Sequence, residues 1–499
     1  MKSRKVTKKK NLSYNRSIGE KRDSNPRVDS DSNSHSNSDS DSDTSSYFDS
    51  DDSLSEDDER EVSEGVVGEI LFNKYICLKY LGKGTFSRVW LVYDLVTETF
   101  LAMKMIYSKY SEEAEHEVEM YKCLGSKYQH VTRFYDSFTF NNQVCIVTEL
   151  MGICMLDFIK KYLDIKEKDK HWYEKNSEED TLPIEIIRKI FKQLFMGLHE
   201  LHSKQIVHTD IKPENVMLNI YPHKILKIQE WFRTSGIKEQ YNNQLVKLLP
   251  ENFSTFDNNK KKTLRKKFRI KALNLLEQDI KTQIIEYHEA IYQSKIEVAE
   301  TIVDLDNVSD VEIDEVDSDE LFDFDPNFDF VCKIIDLGNA ELLEDFEPEQ
   351  IQLRCYRAPE NVLFDFYNTK ADIWTMGCML FENITGEFLF EIDNDLYTEP
   401  IEKDIELLVQ MYNIFGEIPI EDTYKSPYKD DLFCENSNKL KGVTNDRLEP
   451  TPLKEIIEDL ELVETEKELL LDLFKKLFCY RQEERIEAGE VLNHPWLNL

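Results

Sequence analysis

The spacing of apolar residues changes along this chain, and each change predicts a different kind of secondary structure. Between 75 and 150, short apolar and β-branched runs separated by turn residues predict strands. Within this region, 112–124 carries apolar residues at helical spacing. After Pro183 the apolar positions recur every three or four residues as far as Leu201, which predicts a long amphipathic helix. We therefore expect an α+β fold with a small β-rich lobe followed by a larger, mainly helical one.

Two stretches depart from this pattern. Residues 1–70 are first basic and then rich in Ser and Asp, a composition that predicts a disordered tail. Residues 221–328 contain a basic patch at 260–271, a helical pattern at 263–301 and an acidic run from 304. Because a structureless loop of this length is unusual inside a compact unit, we interpret 221–328 as an inserted module. Its basic patch is a candidate nuclear address, a docking site or simply a solvated helix end.

These boundaries divide the chain into five parts. They are a tail (1–70), a small lobe (71–150), the first part of a large lobe (151–220), the insertion (221–328) and the second part of the large lobe (329–499). Within the large lobe, the charged stretch 164–180 is predicted to be a loop.

The net charge of the chain limits the kinds of partner that it is expected to bind. The formal net charge is -36, and the chain remains acidic outside its strongly charged segments. This disfavours direct nucleic-acid binding and favours basic protein partners, although solubility alone would also explain it.

Nine cysteines without C-x-x-C spacing indicate a reduced, intracellular, metal-free protein. No apolar run approaches about 18 residues, so neither a signal peptide nor a membrane span is expected. The lysines at 8–10 leave a nuclear location open beside a cytoplasmic one.

The chemistry concentrates in the octet His-Thr-Asp-Ile-Lys-Pro-Glu-Asn at 208–215. Asp210 is the candidate base that orients a hydroxyl, and Asn215, five residues later, is a candidate magnesium ligand. Lys212 lies between them, where its charge could stabilise a migrating phosphoryl group. A second metal ligand is predicted at Asp336, which follows an apolar strand and precedes Gly338. This set indicates phosphoryl transfer.

A nucleotide site is predicted in the small lobe. Glycines in the 81–90 hairpin would let backbone N–H groups approach phosphate oxygens. Lys104 is the candidate phosphate clamp, and Glu117 in the 112–124 helix is its candidate carboxylate partner. The strand that ends at Glu149 would place a connector beside an adenine ring. The candidate nucleotide-binding residues are Leu81, Gly82, Lys83, Gly84, Thr85, Phe86, Ser87, Val89, Ala102, Lys104, Glu149 and Met151.

Regulation can also be read from the hydroxyl residues. No Ser or Thr occurs between Asp336 and Glu360, so an activating phosphate on Ser or Thr has no acceptor there. Thr209 stands where an Arg that neutralises such a phosphate would be expected. We expect activity without phosphorylation of this segment. Asp372 is predicted to hold the catalytic-loop backbone, and Arg485 to pair with Glu360.

With these motifs in order, the chain resembles the eukaryotic protein kinases over about 72–499, apart from the insertion. Within them it is most similar to the SR-protein kinases of the CMGC group. This resemblance rests on Leu-Gly-x-Gly-x-Phe-Ser-x-Val-Trp at 81–90, the octet, Asp-Leu-Gly-Asn-Ala at 336–340, Asn-Thr before Ala-Asp-Ile-Trp at 371–374 and the spacer after Asn215. It implies a two-lobed kinase fold, ATP and Mg²⁺ as cofactors, and Arg-Ser-rich protein substrates held by an acidic docking groove.

The chain departs from that family at three places. Ala-Pro-Glu at 358–360 replaces the usual Ser-Leu-Glu, and Leu353 replaces a Thr. In the segment that implies the docking groove, Asp404 and Glu406 are acidic, but Asn413 stands where a Glu is expected. We therefore predict a Ser/Thr protein kinase for basic substrates, with Arg-Ser preference as the narrower hypothesis.

Two alternatives remain at this point. One is a catalytically weak pseudokinase scaffold that binds partners through its insertion and acidic segments, and the other is a binder of basic proteins in which phosphorylation is secondary. A monomer without membrane or nucleic-acid ligands is expected in each case. The richness in Asn, Ile, Lys and Asp suits a viral or protist genome.

Overall fold

The computed structural model describes residues 66–168, 181–303, 329–343, 351–363, 366–393, 396–435 and 437–499. The predicted tail up to residue 65, the acidic run at 304–328 and part of the segment after Asp336 lie outside the described residues. Packing begins earlier than the strand pattern suggested, because Val67 and Leu71 are buried.

The small lobe is one antiparallel sheet with strand order β1-β2-β3-β4-β6-β5. Helix α1 lies between β4 and β5 in the chain, as the apolar spacing predicted. The elements are β1 Ile70–Leu71, β2 Tyr75–Gly84, β3 Ser87–Asp94, β4 Thr99–Ile106, α1 Ser111–Leu124, β5 Phe134–Phe140 and β6 Gln143–Glu149.

The rest of the described chain is mainly helical. Its helices are α2 Met155–Lys168, α3 Ile184–His202, α4 His223–Thr234, α5 Ile237–Leu248, α6 Asn258–Val303, α7 Pro359–Leu363, α8 Lys370–Thr385, α9 Pro400–Phe415, α10 Ile420–Lys425, α11 Lys429–Leu432, α12 Leu453–Glu458, α13 Glu464–Leu477 and α14 Ala488–Val491. Four short strands complete it, namely β7 Ile206–Val207, β8 Val216–Leu218, β9 Cys332–Ile334 and β10 Glu341–Leu342. The prediction of a loop at 164–180 is wrong for 164–168, which continue α2. None of the described helices combines the length and apolar character needed to cross a membrane.

The large lobe is organised around α8. Trp374 of this helix is fully buried and packs edge-on against Phe478, with ring centroids 5.1 Å apart. The amphipathic helix α3 starts directly after Pro183, as predicted, and buries its apolar face in the same core. Two small antiparallel sheets, β7 with β10 and β8 with β9, lie at the edge of this core. They bring the chain before and after the 208–215 octet next to the segment around Asp336.

The described part of the insertion packs against the small lobe. Apolar residues of α4, α5 and α6 share one buried core with β2, β3 and β4. The ring of Phe232 in α4 is tilted against that of Tyr93, with centroids 4.6 Å apart, and meets that of Phe100 edge-on, with centroids 5.9 Å apart. The helical pattern expected from 263 starts earlier, at Asn258, and continues to Val303. A cavity of about 600 Å³ remains between α4, α5 and the β3–β4 hairpin, on the side of the small lobe that the insertion covers.

Candidate active site

The catalytic-loop candidate is fixed at its backbone by Asp372. This carboxylate is fully buried at the start of α8 and accepts hydrogen bonds from the N–H groups of His208 (2.9 Å) and Thr209 (3.0 Å). His202 Nε2 lies 2.9 Å from the same carboxylate. The predicted role of Asp372 is thereby confirmed. Charge-assisted hydrogen bonds of this kind are stronger than neutral ones, so the loop is held firmly where β7 ends.

The three reactive side chains of the octet lie together. Lys212 Nζ is 3.0 Å from the Asp210 carboxylate, and Asn215 Nδ2 donates to the same carboxylate at 3.0 Å and to the Asp210 carbonyl at 2.8 Å. The Asp210 side chain remains 21% exposed, so it can still reach a substrate. An amide and an ammonium therefore fix the orientation of a carboxylate that is partly exposed to solvent.

Lys104 lies between two carboxylates. Its ammonium is 2.9 Å from Glu117 of α1 and 2.8 Å from Asp336. Burial alone would lower the pKa of Lys104, but the two negative charges outweigh it and raise that pKa. Burial would likewise raise the pKa of Asp336, whereas the Lys104 ammonium holds it below its ordinary value. Burial raises the pKa of Glu117 despite the nearby Lys104 ammonium, and the predicted pair of Lys104 and Glu117 is formed.

A backbone hydrogen bond joins the segment of Asp336 to that of Asn215. The Ile335 N–H donates to the Asn215 carbonyl at 2.9 Å, and β8 pairs with β9 just before. Asp336 has φ +62° and accepts from the Gly338 N–H, so the chain turns sharply at this point. Within the described residues, no group of three or more His, Cys, Asp or Glu side chains is arranged to hold a metal. An amide oxygen and one carboxylate suit Mg²⁺, which keeps several waters and takes its remaining ligands from phosphates.

The glycine hairpin joins β2 to β3 with only Thr85 and Phe86 between the paired residues Gly84 and Ser87. A Cβ added at Gly82 would meet nothing within 4 Å, so the packing of this chain does not require a glycine there. The open space below the hairpin fits the approach of a ligand instead. Lys83, Thr85 and Phe86 are exposed at the hairpin tip.

The remaining candidate nucleotide-binding residues lie on the strands of the small-lobe sheet and on the connector after β6. Leu81 and Val89 belong to the hairpin strands, Ala102 lies two residues before Lys104 on β4, and Glu149 ends β6. The connector continues to Met151, whose N–H has no hydrogen-bond partner among the described residues. A free N–H in a nearly buried strand end is an available donor for an adenine edge. The Leu150 carbonyl, in contrast, accepts from Tyr221 at the start of the insertion, at 2.9 Å.

The catalytic loop and α1 both contact the segment after Asp336. Thr209 donates its hydroxyl to the Asn339 carbonyl at 2.6 Å, and His116 of α1 lies 2.7 Å from the Ala340 carbonyl. Downstream, Arg485 makes two bonds to the Glu360 carboxylate, at 2.7 and 2.8 Å, with both side chains fully buried. The predicted pairing of Glu360 with Arg485 is confirmed.

Sequence reasoning assigned no role to two acids, Glu214 within the octet and Glu382 in α8. Glu214 is largely buried, and its Oε2 has no hydrogen-bond partner among the described residues. Glu382 of α8 accepts a hydrogen bond from Tyr356, and burial, with the Glu214 charge adding to it, raises the pKa of Glu382 to about 7. The two acids also flank Cys355. No local pattern distinguishes Glu382, which with Asp372 is one of two acids in a mainly apolar helix.

Two of the three acids of α9, Asp404 and Glu406, have internal partners. Asp404 pairs with Arg354 and, at 3.6 Å, with Arg357, while Glu406 pairs with Arg447. Asn413 donates to the Arg447 carbonyl at 3.2 Å. A basic peptide could use Asp404 or Glu406 only by displacing these arginines.

Comparison with known proteins agrees with this geometry. The family described as "Protein kinase domain" matches residues 75–246 and 321–497, on both sides of a gap within the insertion. The "Protein kinase dsk1" of Schizosaccharomyces pombe is 25% identical over 477 residues, covering 86% of this chain and 81% of that protein. The "SRSF protein kinase 3" of Mus musculus is 26% identical over 522 residues (87% and 88%), and the "Putative serine/threonine-protein kinase L205" of Acanthamoeba polyphaga mimivirus is 25% identical over 519 residues (89% and 91%). These relatives support the resemblance to SR-protein kinases that the motifs indicated, and the chain belongs to the protein kinase domain family.

Proposed function

We propose that this protein transfers the γ-phosphoryl group of ATP to Ser or Thr hydroxyls in basic protein segments, and that it does so without phosphorylation of its own activation segment. The observation that carries the proposal is the connected set of Lys104, Glu117, Asp336, Asn215 and Asp210 around one cleft. A pseudokinase would be expected to lack at least one of these groups or the bond between Lys104 and Glu117.

Each side chain has a role that follows from its position. Lys104, fixed by Glu117, would hold the α- and β-phosphates, while Asn215 and Asp336 would hold magnesium. Bound Mg²⁺ would neutralise charge on the phosphate oxygens. Asp210 would accept the proton of the substrate hydroxyl, and Lys212 beside it would stabilise charge that develops on the transferred group.

The preference for basic substrates rests on Glu214 and Glu382. Glu214 belongs to the octet, and Glu382 lies near enough to be affected by its charge. Burial raises the pKa of both acids; the charge of Glu214 adds to this at Glu382, and the charge of Asp210 adds to it at Glu214. A buried carboxylate oxygen without a partner is costly, and an arginine or lysine from a substrate would supply the missing donor. Because Asp404 and Glu406 of α9 are already paired, we propose that substrate cations are recognised at Glu214 and Glu382 rather than at these two acids.

Independence from phosphorylation rests on two contacts. Thr209 and His116 both bind carbonyls of the segment after Asp336, which ties the catalytic loop and α1 to that segment. The segment contains no Ser or Thr as far as Glu360. A phosphate is therefore neither available nor needed to form these contacts.

The test is transfer of labelled phosphate from ATP by protein made in bacteria. An Arg-Ser repeat peptide, a basic protein without such repeats and an acidic peptide serve as substrates, and Asp210→Asn is the catalytic control. We expect labelling of the basic substrates only, and loss of labelling in the variant. Labelling of the Arg-Ser peptide alone would support the narrower hypothesis. Binding of ATP with no transfer to any substrate would contradict the proposal and favour the scaffold.

A further inference from the structure

The first half of α6 carries a basic face with no acidic partner. Residues 260–271 include eight Lys or Arg and no acid, listed in order as Lys260, Lys261, Lys262, Arg265, Lys266, Lys267, Arg269 and Lys271. Six of the eight are exposed, and none has a carboxylate within 4 Å among the residues that the structure describes. At 3.6 residues per turn these positions are distributed around the helix, and we call the eight residues together the basic face. So much uncompensated charge on one helix would be expected to attract a polyanion.

The first described residues of the chain contact the second half of α6. Glu69 pairs with Lys281, and Gly68 lies so close to it that an added Cβ would be 2.8 Å from Lys281 Cγ. Gly68 has φ +84°, so a side chain at this position would be strained as well as crowded. Gly68 and Glu69, among the first described residues, therefore contact the same helix that carries the basic face.

We propose that the acidic segment 49–64 of the same chain binds the basic face of α6. Nine acids and one Arg give this segment a charge of -8, which matches the +8 of the basic face. Along a helix that rises about 1.5 Å per residue, the basic face lies roughly 15 to 32 Å from Lys281. Sixteen residues can span up to about 55 Å, so the segment is long enough to reach every part of the face.

Attachment to α6 favours this occupant over a separate polyanion. A segment tethered within a few residues of Lys281 is present at a high effective concentration, on the order of millimolar for short flexible linkers. RNA would instead approach a chain with a net charge of -36. The consequence is that the segment shields the basic face from other polyanions, independently of the kinase activity.

Carbodiimide cross-linking of the full-length protein tests the contact, because this reagent joins a carboxylate to a lysine only where the two touch. We expect cross-links from 49–64 to the lysines of the basic face, and no comparable cross-links to the exposed lysines Lys439 and Lys454 of the large lobe. The cross-links should be lost when salt is raised from about 0.1 M to about 1 M, since the screening length falls from about 10 to about 3 Å. Equal cross-linking to the control lysines would overturn the proposal.

A mixture of isotopically light and heavy protein separates contacts within a chain from contacts between chains. Cross-links that join light to heavy chains as often as chance allows would contradict the intramolecular contact and point to a second copy. The matched variant replaces the nine acids of 49–64 by Asn or Gln.

The same variant has a second readout, the binding of an oligouridylate RNA at low salt. Neutralising the acids should leave the basic face free to contact RNA phosphates. Because phosphate contacts dominate such affinities, RNA binding should tighten by roughly tenfold or more. A control variant replaces Lys260, Lys262, Lys266, Lys267 and Lys271 by Gln and should abolish the gain. If RNA bound the wild type and the acid-neutralised variant equally, the segment would not cover the face, and the proposal would be wrong.

Discussion

Replacing Glu382 by Gln tests the proposed recognition of substrate cations most directly. Gln has nearly the same shape and keeps an acceptor for the Tyr356 hydroxyl, but it cannot carry the negative charge. The variant should therefore fold and bind ATP normally while losing selectivity for substrates that present an arginine. Glu387→Gln is the matched control, since Glu387 follows the same helix but is exposed.

The raised pKa of Glu382 sets the size and the sign of the effect on stability. Relative to an ordinary value of 4.5, a pKa of about 7 means that ionising this group in the folded protein costs on the order of 3 kcal/mol. The folded state binds the proton more tightly than the unfolded state. The stabilising contribution of Glu382 is therefore complete below about pH 4.5 and is lost as the pH rises through about 7. Glu382→Gln should lack this decline in the free energy of unfolding.

A substrate arginine favours the ionised form, so its binding should strengthen over the same pH range. The assay is the ratio of kcat/KM for an arginine-containing peptide to that for its alanine analogue, measured from about pH 6 to pH 8, because the ratio cancels the pH dependence of catalysis. In the wild type and in Glu387→Gln the ratio should rise with pH. One charge-assisted hydrogen bond of about 1.5 to 3 kcal/mol corresponds to a loss of roughly 10- to 100-fold in Glu382→Gln. An identical ratio in all three proteins at every pH would refute the reasoning.

The other predictions concern the catalytic set and its support. Lys104→Met should lower kcat at least about a hundredfold while the protein stays folded, and Glu117→Gln should lower it less, as checked by turnover and thermal unfolding together. Arg485→Leu should destabilise the protein by about 3 to 5 kcal/mol, because it leaves the buried Glu360 carboxylate unpaired; a change below about 1 kcal/mol in denaturant unfolding would contradict this. Treatment with a phosphatase should leave turnover unchanged, whereas Thr209→Ala, which removes the hydrogen bond to Asn339, should lower it.

Motifs located the catalytic machinery because its chemistry requires particular residue types at particular spacings. The octet, Lys104 and Asp336 could be recognised for this reason, and the helix at 112–124 could be recognised from its apolar spacing. The buried pairs at Asp372 and Glu360 were also accessible, since an acid at the start of an apolar helix needs donors. Fold class and lobe order follow from the same local patterns.

Contacts between distant segments could not be predicted in this way. The apolar faces of α4 and α6 show that the insertion packs against something, but only the structure identifies the small lobe as the partner. The internal pairing of Asp404 and Glu406 was missed for a similar reason, because an acid on a helix has the same sequence pattern whether it is solvated or paired. Glu382 lies 168 residues from Glu214 in the chain, and no local spacing relates them.

These long-range contacts bear on how the kinase is switched on. Lys104, Glu117 and Asp336 are already bonded, and Thr209 and His116 hold the next turn of the chain. The other side of the small lobe is packed against the insertion, which also occupies the Leu150 carbonyl through Tyr221. Because the small lobe has contacts on both sides, it has fewer alternative conformations. A phosphate can activate a kinase only by shifting an equilibrium between two conformations, so it has less to act on here. We therefore expect control of this enzyme to act through access of substrate or partners to its charged surfaces, rather than through assembly of the catalytic set.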